Sequence, residues 1–267
     1  MNYRSVFFFL LFCRCTVYPY DAQTQTWDIG LGGGAMSYMG DLNVNNPFKF
    51  TDVGINLQAK INTDAYWSFK INFLQGTLRG NDGTSTNAAY KNRNLSFYTP
   101  FSELTAQVEL NIVEYWSGGD NQNRFSPYLF TGIGFISFEP MRNVNGQVYH
   151  LRWYATEGQD ISNPYDPFAV VVPVGFGVKY NLVDNFNVVA DLGYRIVFSD
   201  YLDDVSGKYP NPSNLYDDTA RMLSDTSLDK GVKVGQQRGD GNDGDKYLFV
   251  GIGLTYTFVS QKCRSAK

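Results

Sequence analysis

From Phe168 to Lys179 the chain alternates with a period of two. Phe168, Val170, Val172, Val174, Phe176 and Val178 share one phase, and Ala169, Pro173, Gly175, Gly177 and Lys179 share the other. This is the strand period, which sends the two sets to opposite faces of a sheet. Residues 248–258 repeat it, with Leu248, Val250, Ile252, Leu254, Tyr256 and Phe258 against Gly251, Gly253, Thr255 and Thr257. A lysine or arginine on the lipid face of a membrane strand costs roughly 2–4 kcal/mol at the midplane. In a membrane barrel the Val/Phe phase therefore points outward and the phase with Lys179 points inward.

Eight segments carry this pattern, near 25–38, 51–62, 65–78, 95–116, 125–138, 168–180, 186–199 and 246–258. Their connections alternate in length. Short turns at 62–64, 117–124 and 181–185 are interleaved with long loops at 39–50, 79–94, 139–167 and 200–245. An even strand number with short turns on one side and long loops on the other is the pattern of outer-membrane barrels. The expected fold is all-β: a single antiparallel eight-stranded transmembrane β-barrel with short periplasmic turns, long extracellular loops and both mature ends in the periplasm. Aromatic residues at 16% and 26 glycines suit strands that face lipid and bend. A soluble lipocalin-like barrel would carry apolar residues inside and is disfavoured by the charges on the inner phase.

The same phase rule sends Lys60, Lys70, Glu103, Glu109, Lys179, Asp191 and Arg195 inward. An eight-stranded barrel is just wide enough for side chains to fill, so this near-balanced set is expected to pair into a plug without an open pore. Two places resist. Glu114 falls on the outward phase with Leu104, Ala106, Val108, Leu110 and Ile112, and is tolerable only at a rim. The segment 125–138 has apolar residues on both faces and cannot be phased. Pro100 fits a bulge or an edge position.

Residues 1–22 have a basic start at Arg4, an apolar run from Val6 to Cys13 and a polar stretch ending at Ala22, the pattern of a secretory signal peptide. The expected organisation is a signal peptide at 1–22, an outer-membrane barrel at 23–258 and a polar tail at 259–267. Loss of 1–22 would leave Cys263 as the one cysteine, so no internal disulfide is expected.

Chemistry-bearing motifs are sparse. A G-x-G-x-x-A spacing at Gly30, Gly32 and Ala35 lacks the following helix that a dinucleotide site needs. In 239–245 the calcium-loop order breaks at Gly244, and Gly251 stands where the bidentate Glu belongs. The single histidine, His150, falls in a loop. No enzyme, cofactor or metal is expected, and a net charge of −4 argues against nucleic acid. The loop 200–245 carries ten acidic and five basic residues, with a weak helical pattern between Asn214 and Asp225.

Five segments carry a wider resemblance: SYMGDLN at 37–43, NRNLSFYTPFSELTAQVELN at 92–111, LRWYATEGQ at 151–159, SDYLDDVSGKY at 199–209 and QRGDGNDGDKYLFVGIGLTYTF at 237–258. In these the chain resembles the PorG-like outer-membrane β-barrel family of Bacteroidetes, components associated with the type IX secretion system. The resemblance implies a non-enzymatic part of a translocon, seated in outer-membrane lipid and touching a periplasmic ring. Asp64, Asp120, Arg124 and Asp184 in the short turns, with the C-terminal tail, are the candidate ring contacts. The motif residues Asp41, Glu157, Gln159, Asp203 and Asp204 fall at loop bases, where they are expected to hydrogen-bond the loops over the barrel mouth. Two other classes stay open: a surface adhesin or ligand-binding barrel using the 139–167 and 200–245 loops, and a lipid-modifying outer-membrane enzyme.

Overall fold

The computed structural model describes residues 25–43, 46–115, 123–229, 234–239 and 244–259. The expected signal peptide at 1–22, residues 260–267, Asp120 and residues 240–243 of the acidic loop lie outside the described residues.

The strands are β1 (Thr26–Met39), β2 (Asp52–Asn62), β3 (Trp67–Asn81), β4 (Ser96–Asn111), β5 (Phe125–Phe138), β6 (Met141–Val144), β7 (Gln147–His150), β8 (Phe168–Val183), β9 (Phe186–Val197) and β10 (Lys246–Val259). Eight of them pair antiparallel in the order β3-β2-β1-β10-β9-β8-β5-β4, and β4 pairs back onto β3. That last ladder, running from Trp67↔Leu110 to Asn81↔Ser96, closes the sheet into a barrel. Closure leaves the eight strands without a free edge. Two short helices, α1 (Ala88–Arg93) and α2 (Asp218–Ser224), lie in the long loops.

The outer wall is apolar. Ile29, Leu31, Ile55, Phe69, Ile71, Leu104, Ile133, Phe135, Val174 and Ile252 are all exposed on it. At the short-turn end Trp27, Tyr66, Trp67, Phe125, Tyr180, Phe186 and Phe258 form an exposed aromatic girdle. Among the described residues no helix is long and apolar enough to cross a membrane. Water would leave this wall unsatisfied around the full circumference, whereas lipid matches it.

The structure settles the phase of β5. Tyr128, Phe130, Ile136 and Phe138 face in and are buried, while Leu129, Ile133 and Phe135 face out. Room for the inward rings comes from glycines on β8 and β9. A Cβ on Gly177 would stand 2.5 Å from the Tyr128 ring, and one on Gly175 would stand 2.5 Å from that of Phe130.

Several expectations are corrected. β4 ends at Asn111 rather than near 116, so Glu114 lies beyond the strand and is exposed. β3 starts at Trp67 because Asp64 accepts hydrogen bonds from the Tyr66 and Trp67 amides, an Asx turn that sets the strand's entry. Pro100 pairs with Thr77 of β3 without a bulge, and on its other side, where the β4–β5 ladder has stopped at Phe101↔Phe138, its carbonyl accepts from the Glu139 amide at 3.3 Å. The loop 139–167 contains the β6–β7 hairpin, whose Asn145–Gly146 turn has positive φ at both residues. Leu248, on the outward phase, is buried at the loop end.

The polar phase does not fill the whole barrel. At the loop end the interior is an apolar core of Met36, Leu74, Leu78, Phe97, Phe101, Ile136, Val171, Val197 and Phe249, joined by Leu202, Val205 and Leu223 from the loops. Gly251, Gly34, Gly54 and Gly76 stand in register across β10, β1, β2 and β3 at the base of this core. The close approach is real at Gly76, where an added Cβ would lie 2.5 Å from the Met36 Sδ. Loop residues fold down over this layer because the long connections bring their own apolar side chains to it.

Candidate functional site

Two polar clusters lie on either side of that apolar layer. The lower one is an ionic plug centred on Glu109 of β4. Lys70 Nζ stands 2.8 Å from Glu109 Oε1, and Lys179 and Lys60 stand 2.7 Å and 3.5 Å from Oε2. Lys60 also meets Asp28 at 3.1 Å. Asp28 Oδ1 accepts hydrogen bonds from Thr257 at 2.8 Å and Asn62 at 3.1 Å, and Lys179 donates to Asn111 at 2.8 Å. The register dictates the meeting: Lys60 pairs with Lys70, Ser68 with Glu109 and Asp28 with Lys60 across neighbouring strands. Two like charges directly opposite would repel, so a carboxylate between them is what makes this register tenable.

Sequence reasoning missed Asp28. The signal was present, because Trp27, Ile29 and Leu31 are an outward phase that leaves Asp28 inside. With it, four cations face four carboxylates. Higher up, Glu103 lies 3.9 Å from Arg195 and accepts from the Tyr247 hydroxyl. Lys70 and Lys179 also lie over the Phe130 and Tyr128 rings, at 4.9 Å and 4.5 Å. The expected pairing of Asp191 is corrected: it faces inward between Gly177 and Gly251 but makes no ion pair among the described residues. No cation stands within 4 Å of it among the described residues, but Lys70, Arg195 and the Tyr128 hydroxyl all act on its carboxyl.

The upper cluster is a cap made by the long loops. Arg238 is buried and donates to Glu157 Oε1 at 2.9 Å and to the Asp204 carbonyl at 2.7 Å. Asp204 sits at positive φ and takes hydrogen bonds from Thr156 at 2.5 Å and Tyr165 at 2.9 Å. Glu157 binds the amides of Ser206 and Gly207 at 3.0–3.1 Å, and Gln159 accepts from the Glu157 amide at 3.0 Å. Arg93 of α1 clamps Asp82 at 2.7 Å and donates to the Asp41 and Arg238 carbonyls. Tyr38 reaches up from β1, its hydroxyl 2.6 Å from Asp203 Oδ2 and 2.7 Å from Asp245 Oδ1. A phenol has one proton to donate, so full ionisation of both carboxyls would leave one facing an oxygen lone pair.

Burial, together with Asp245 and Asp41, pushes the Asp203 carboxyl well above the usual carboxylate range. Burial, with Asp200 and Asp41 nearby, does the same to Asp245. Burial lifts Asp204 to about 6, although Arg238 and its hydrogen bonds pull the other way. Burial opposes the charge on Arg238, yet Glu157 and Asp204 hold its guanidinium above its ordinary value.

The structure thus brings Asp41, Glu157, Gln159, Asp203 and Asp204 into one cap. Sequence reasoning missed Tyr38, Arg93, Arg238 and Asp245. The turn candidates are scattered around the opposite end: Asp64 holds its own turn, Asp184 has positive φ, and Arg124 is exposed with its carbonyl bound by the Asn181 amide. His150 is exposed, its Nδ1 3.3 Å from Glu139 across the hairpin base. Among the described residues no group of three or more His, Cys, Asp or Glu side chains is arranged to hold a metal ion.

A family model described as Domain of unknown function (DUF6089) matches residues 4–267. The chain belongs to the DUF6089 family. No curated protein matches it. Among solved structures it is similar to Neisserial surface protein A, at 9% identity and a TM-score of 0.43 over 88% of this chain and 100% of that one. It is similar also to Ail, the attachment invasion locus protein of Yersinia pestis crystallised with the heparin analogue sucrose octasulfate, at 14% identity and 0.41 over 88% and 100%. A third is the N-terminal β-barrel domain of Pseudomonas aeruginosa OprF, at 9% and 0.39 over 88% and 98%. In this DUF6089 chain each of the five segments quoted above sends a residue to the loop-end interior: Tyr38 and Asp41, Arg93 and Thr99, Thr156 and Glu157, Asp203 and Asp204, and Arg238 and Asp245.

Proposed function

We propose that this chain is a structural, non-catalytic outer-membrane barrel that serves as a component of the type IX protein secretion translocon, with its short-turn end toward the periplasmic ring. The observation that carries the reading is the convergence of the five resemblance segments on one sealed cap. Residues shared by resemblance with the PorG-like family build a fixed roof rather than an open cleft with a nucleophile and base. The apolar wall with its aromatic girdle supports an outer-membrane seat, and a filled interior supports a part that holds other proteins in place over one that conducts. Signal-peptide export is the route this location requires.

The test is gentle detergent extraction of the tagged protein from its native envelope, chemical crosslinking and mass spectrometry. Recovery of periplasmic ring proteins, weakened by charge reversal at Asp64, Arg124 and Asp184, is the expected outcome. A solitary barrel, with secretion unchanged on deletion of the gene, would sink the reading. A surface-adhesin reading has one observation in its favour, a cavity of about 380 Å³ lined by Val148, His150, Trp153, Tyr154, Ile161 and Tyr216 where the two long loops meet. Its test is whether Trp153→Ala and Tyr216→Ala abolish ligand capture while sparing secretion.

A further inference from the structure

The outward face of β3 changes character along its length. Trp67, Phe69, Ile71 and Phe73 are exposed apolar residues, then come Gln75 and Thr77, and then Arg79. Twelve residues separate Trp67 from Arg79, about 40 Å of strand and about 30 Å of height at a barrel tilt near 40°. An outer-membrane apolar band is about 25 Å tall. With Trp67 in the lower girdle, Arg79 stands just above the band, at headgroup level.

At this height Arg79 lines a pocket of about 380 Å³ together with Asn81, Ser96, Tyr98, Arg142 and Asn143. Arg79 is opposite Tyr98 across the β3–β4 ladder, and the β6 strand that carries Arg142 joins β4 at Tyr98↔Met141. The two guanidinium groups are differently placed. Arg79 is 59% exposed and pairs with Asp52 at 3.1 Å. Arg142 is half-buried and has no ion pair among the described residues. Among the described residues its one hydrogen bond, at 3.3 Å, goes to the Asn94 carbonyl, and its buried Nε has no partner. Burial and the neighbouring Arg238 push this guanidinium below its usual range, while Asp82 opposes them. A desolvated cation without a carboxylate is a vacancy for an anion.

We propose that this pocket binds the phosphate-bearing headgroup of an outer-leaflet lipid. The assignment rests on the outer-membrane reading of the barrel. Two arginines, a phenol and two amides supply donors that match phosphate oxygens, and below the pocket the same outward face of β3 runs through Thr77 and Gln75 to the exposed apolar Phe73, Ile71 and Phe69. That continuity favours a lipid over a free anion.

The test is native mass spectrometry of the full-length barrel in non-ionic detergent, titrated with diphosphorylated lipid A, the same lipid stripped of phosphate, and inorganic phosphate. Native protein is expected to hold the phosphorylated lipid about tenfold or more tighter than the stripped one, as the loss of a charge-assisted contact implies. Arg142→Gln and the exposed Arg79→Gln should each erase the difference, and Arg221→Gln, far off in the loops, should leave it. Heat-modifiable gel migration checks that each variant is folded. Equal binding of the two lipids, or variants that bind like the native protein, overturns the proposal. Displacement of the lipid by millimolar inorganic phosphate overturns the lipid assignment in favour of a free anion. Fractionation of native envelopes separates the two failures: a barrel found outside the outer membrane refutes the location, whereas one found there without phosphate dependence refutes only this site.

Discussion

The plug and the cap are both buried, both ionic and both closed, yet they balance charge in different ways. In the plug Lys60, Lys70, Lys179 and Arg195 face Asp28, Glu103, Glu109 and Asp191, four against four. In the cap six carboxyls, Asp41, Asp82, Glu157, Asp203, Asp204 and Asp245, share the ion pairs of Arg93 and Arg238. Rigid strands hold the plug's lysines against Glu109 and Asp28 at fixed register. The cap has fewer cations than carboxyls, and burial raises Asp203, Asp204 and Asp245, two of them beside the Tyr38 hydroxyl. One region is neutral by composition and the other by titration, so the same carboxylate-to-amide exchange should act oppositely in the two.

The largest effect is expected at the hub of the plug. Glu109→Gln leaves Lys70 and Lys179 without a carboxylate and Lys60 with Asp28 alone, and removal of one partner from a buried ion pair costs about 3–5 kcal/mol. Denaturant unfolding in micelles, followed by heat-modifiable migration, should show a barrel that unfolds at much lower denaturant or fails to fold. An unchanged midpoint would mean that the lysines are neutralised some other way, and the contrast with the cap would collapse.

The next effect is the pH response of the cap. Asp204 has a folded value of about 6 against an unfolded value near 3.9. Between these the folded state binds more protons, so stability falls as pH rises. The contribution is complete below about pH 4 and is lost as pH passes 6, on the order of 2–3 kcal/mol. Asp203 and Asp245, also raised by burial, add to the loss as pH rises. Limited proteolysis should therefore cut the 200–229 loop faster at pH 8 than at pH 5 while the barrel stays intact. Cutting that is independent of pH would break the proton-sharing account.

The plug was more legible in the sequence than the cap, for a physical reason. A strand in lipid must alternate, so Lys60, Lys70, Glu109 and Lys179 could be placed by phase without knowing any partner. The rule fails where both faces are apolar: Tyr128 and Phe130 turn inward because Gly175, Gly177 and Gly193 make room for them, a match between strands some 45 to 65 residues apart. It fails again at the loop end, where the interior is roofed and Leu74, Phe97 and Ile136 can be apolar on the inner phase. Loop residues have no period at all. Tyr38, Arg93, Arg238 and Asp245 meet across separations as long as 207 residues, and only the folded chain shows that they belong together. The Asn145–Gly146 hairpin is the exception, a local turn signal that sequence reading could have used.

Between plug and cap lies the glycine row, and Gly34→Ala tests whether it couples them. A Cβ there would run into the Val250 carbonyl and the Gly251 Cα, which are backbone and cannot swing aside, so β1 and β10 must part. Overpacking of this kind costs about 1–3 kcal/mol. Loss of barrel stability together with faster loop proteolysis would show that the two clusters are held by one seam. Loosened loops on an unshifted barrel would show that they are independent.

The smallest effect carries the sharpest contrast. Asp203→Asn removes one of the cap's excess carboxylates while keeping its shape. The side-chain oxygen can still accept from the Val205 amide, as Oδ1 does at 2.9 Å, and the new amide can donate to the Tyr38 hydroxyl, which then gives its own proton to Asp245. No cation loses a partner, since Asp203 pairs with none within 4 Å. Stability at pH 8 should stay level or rise by about 1 kcal/mol, and the pH dependence of loop proteolysis should flatten. The same atom exchange at Glu109 is expected to cost several times as much with the opposite sign. If Asp203→Asn instead weakens the cap at pH 8, the carboxylate is serving as an anion there, and the cap is balanced by charge in the way the plug is.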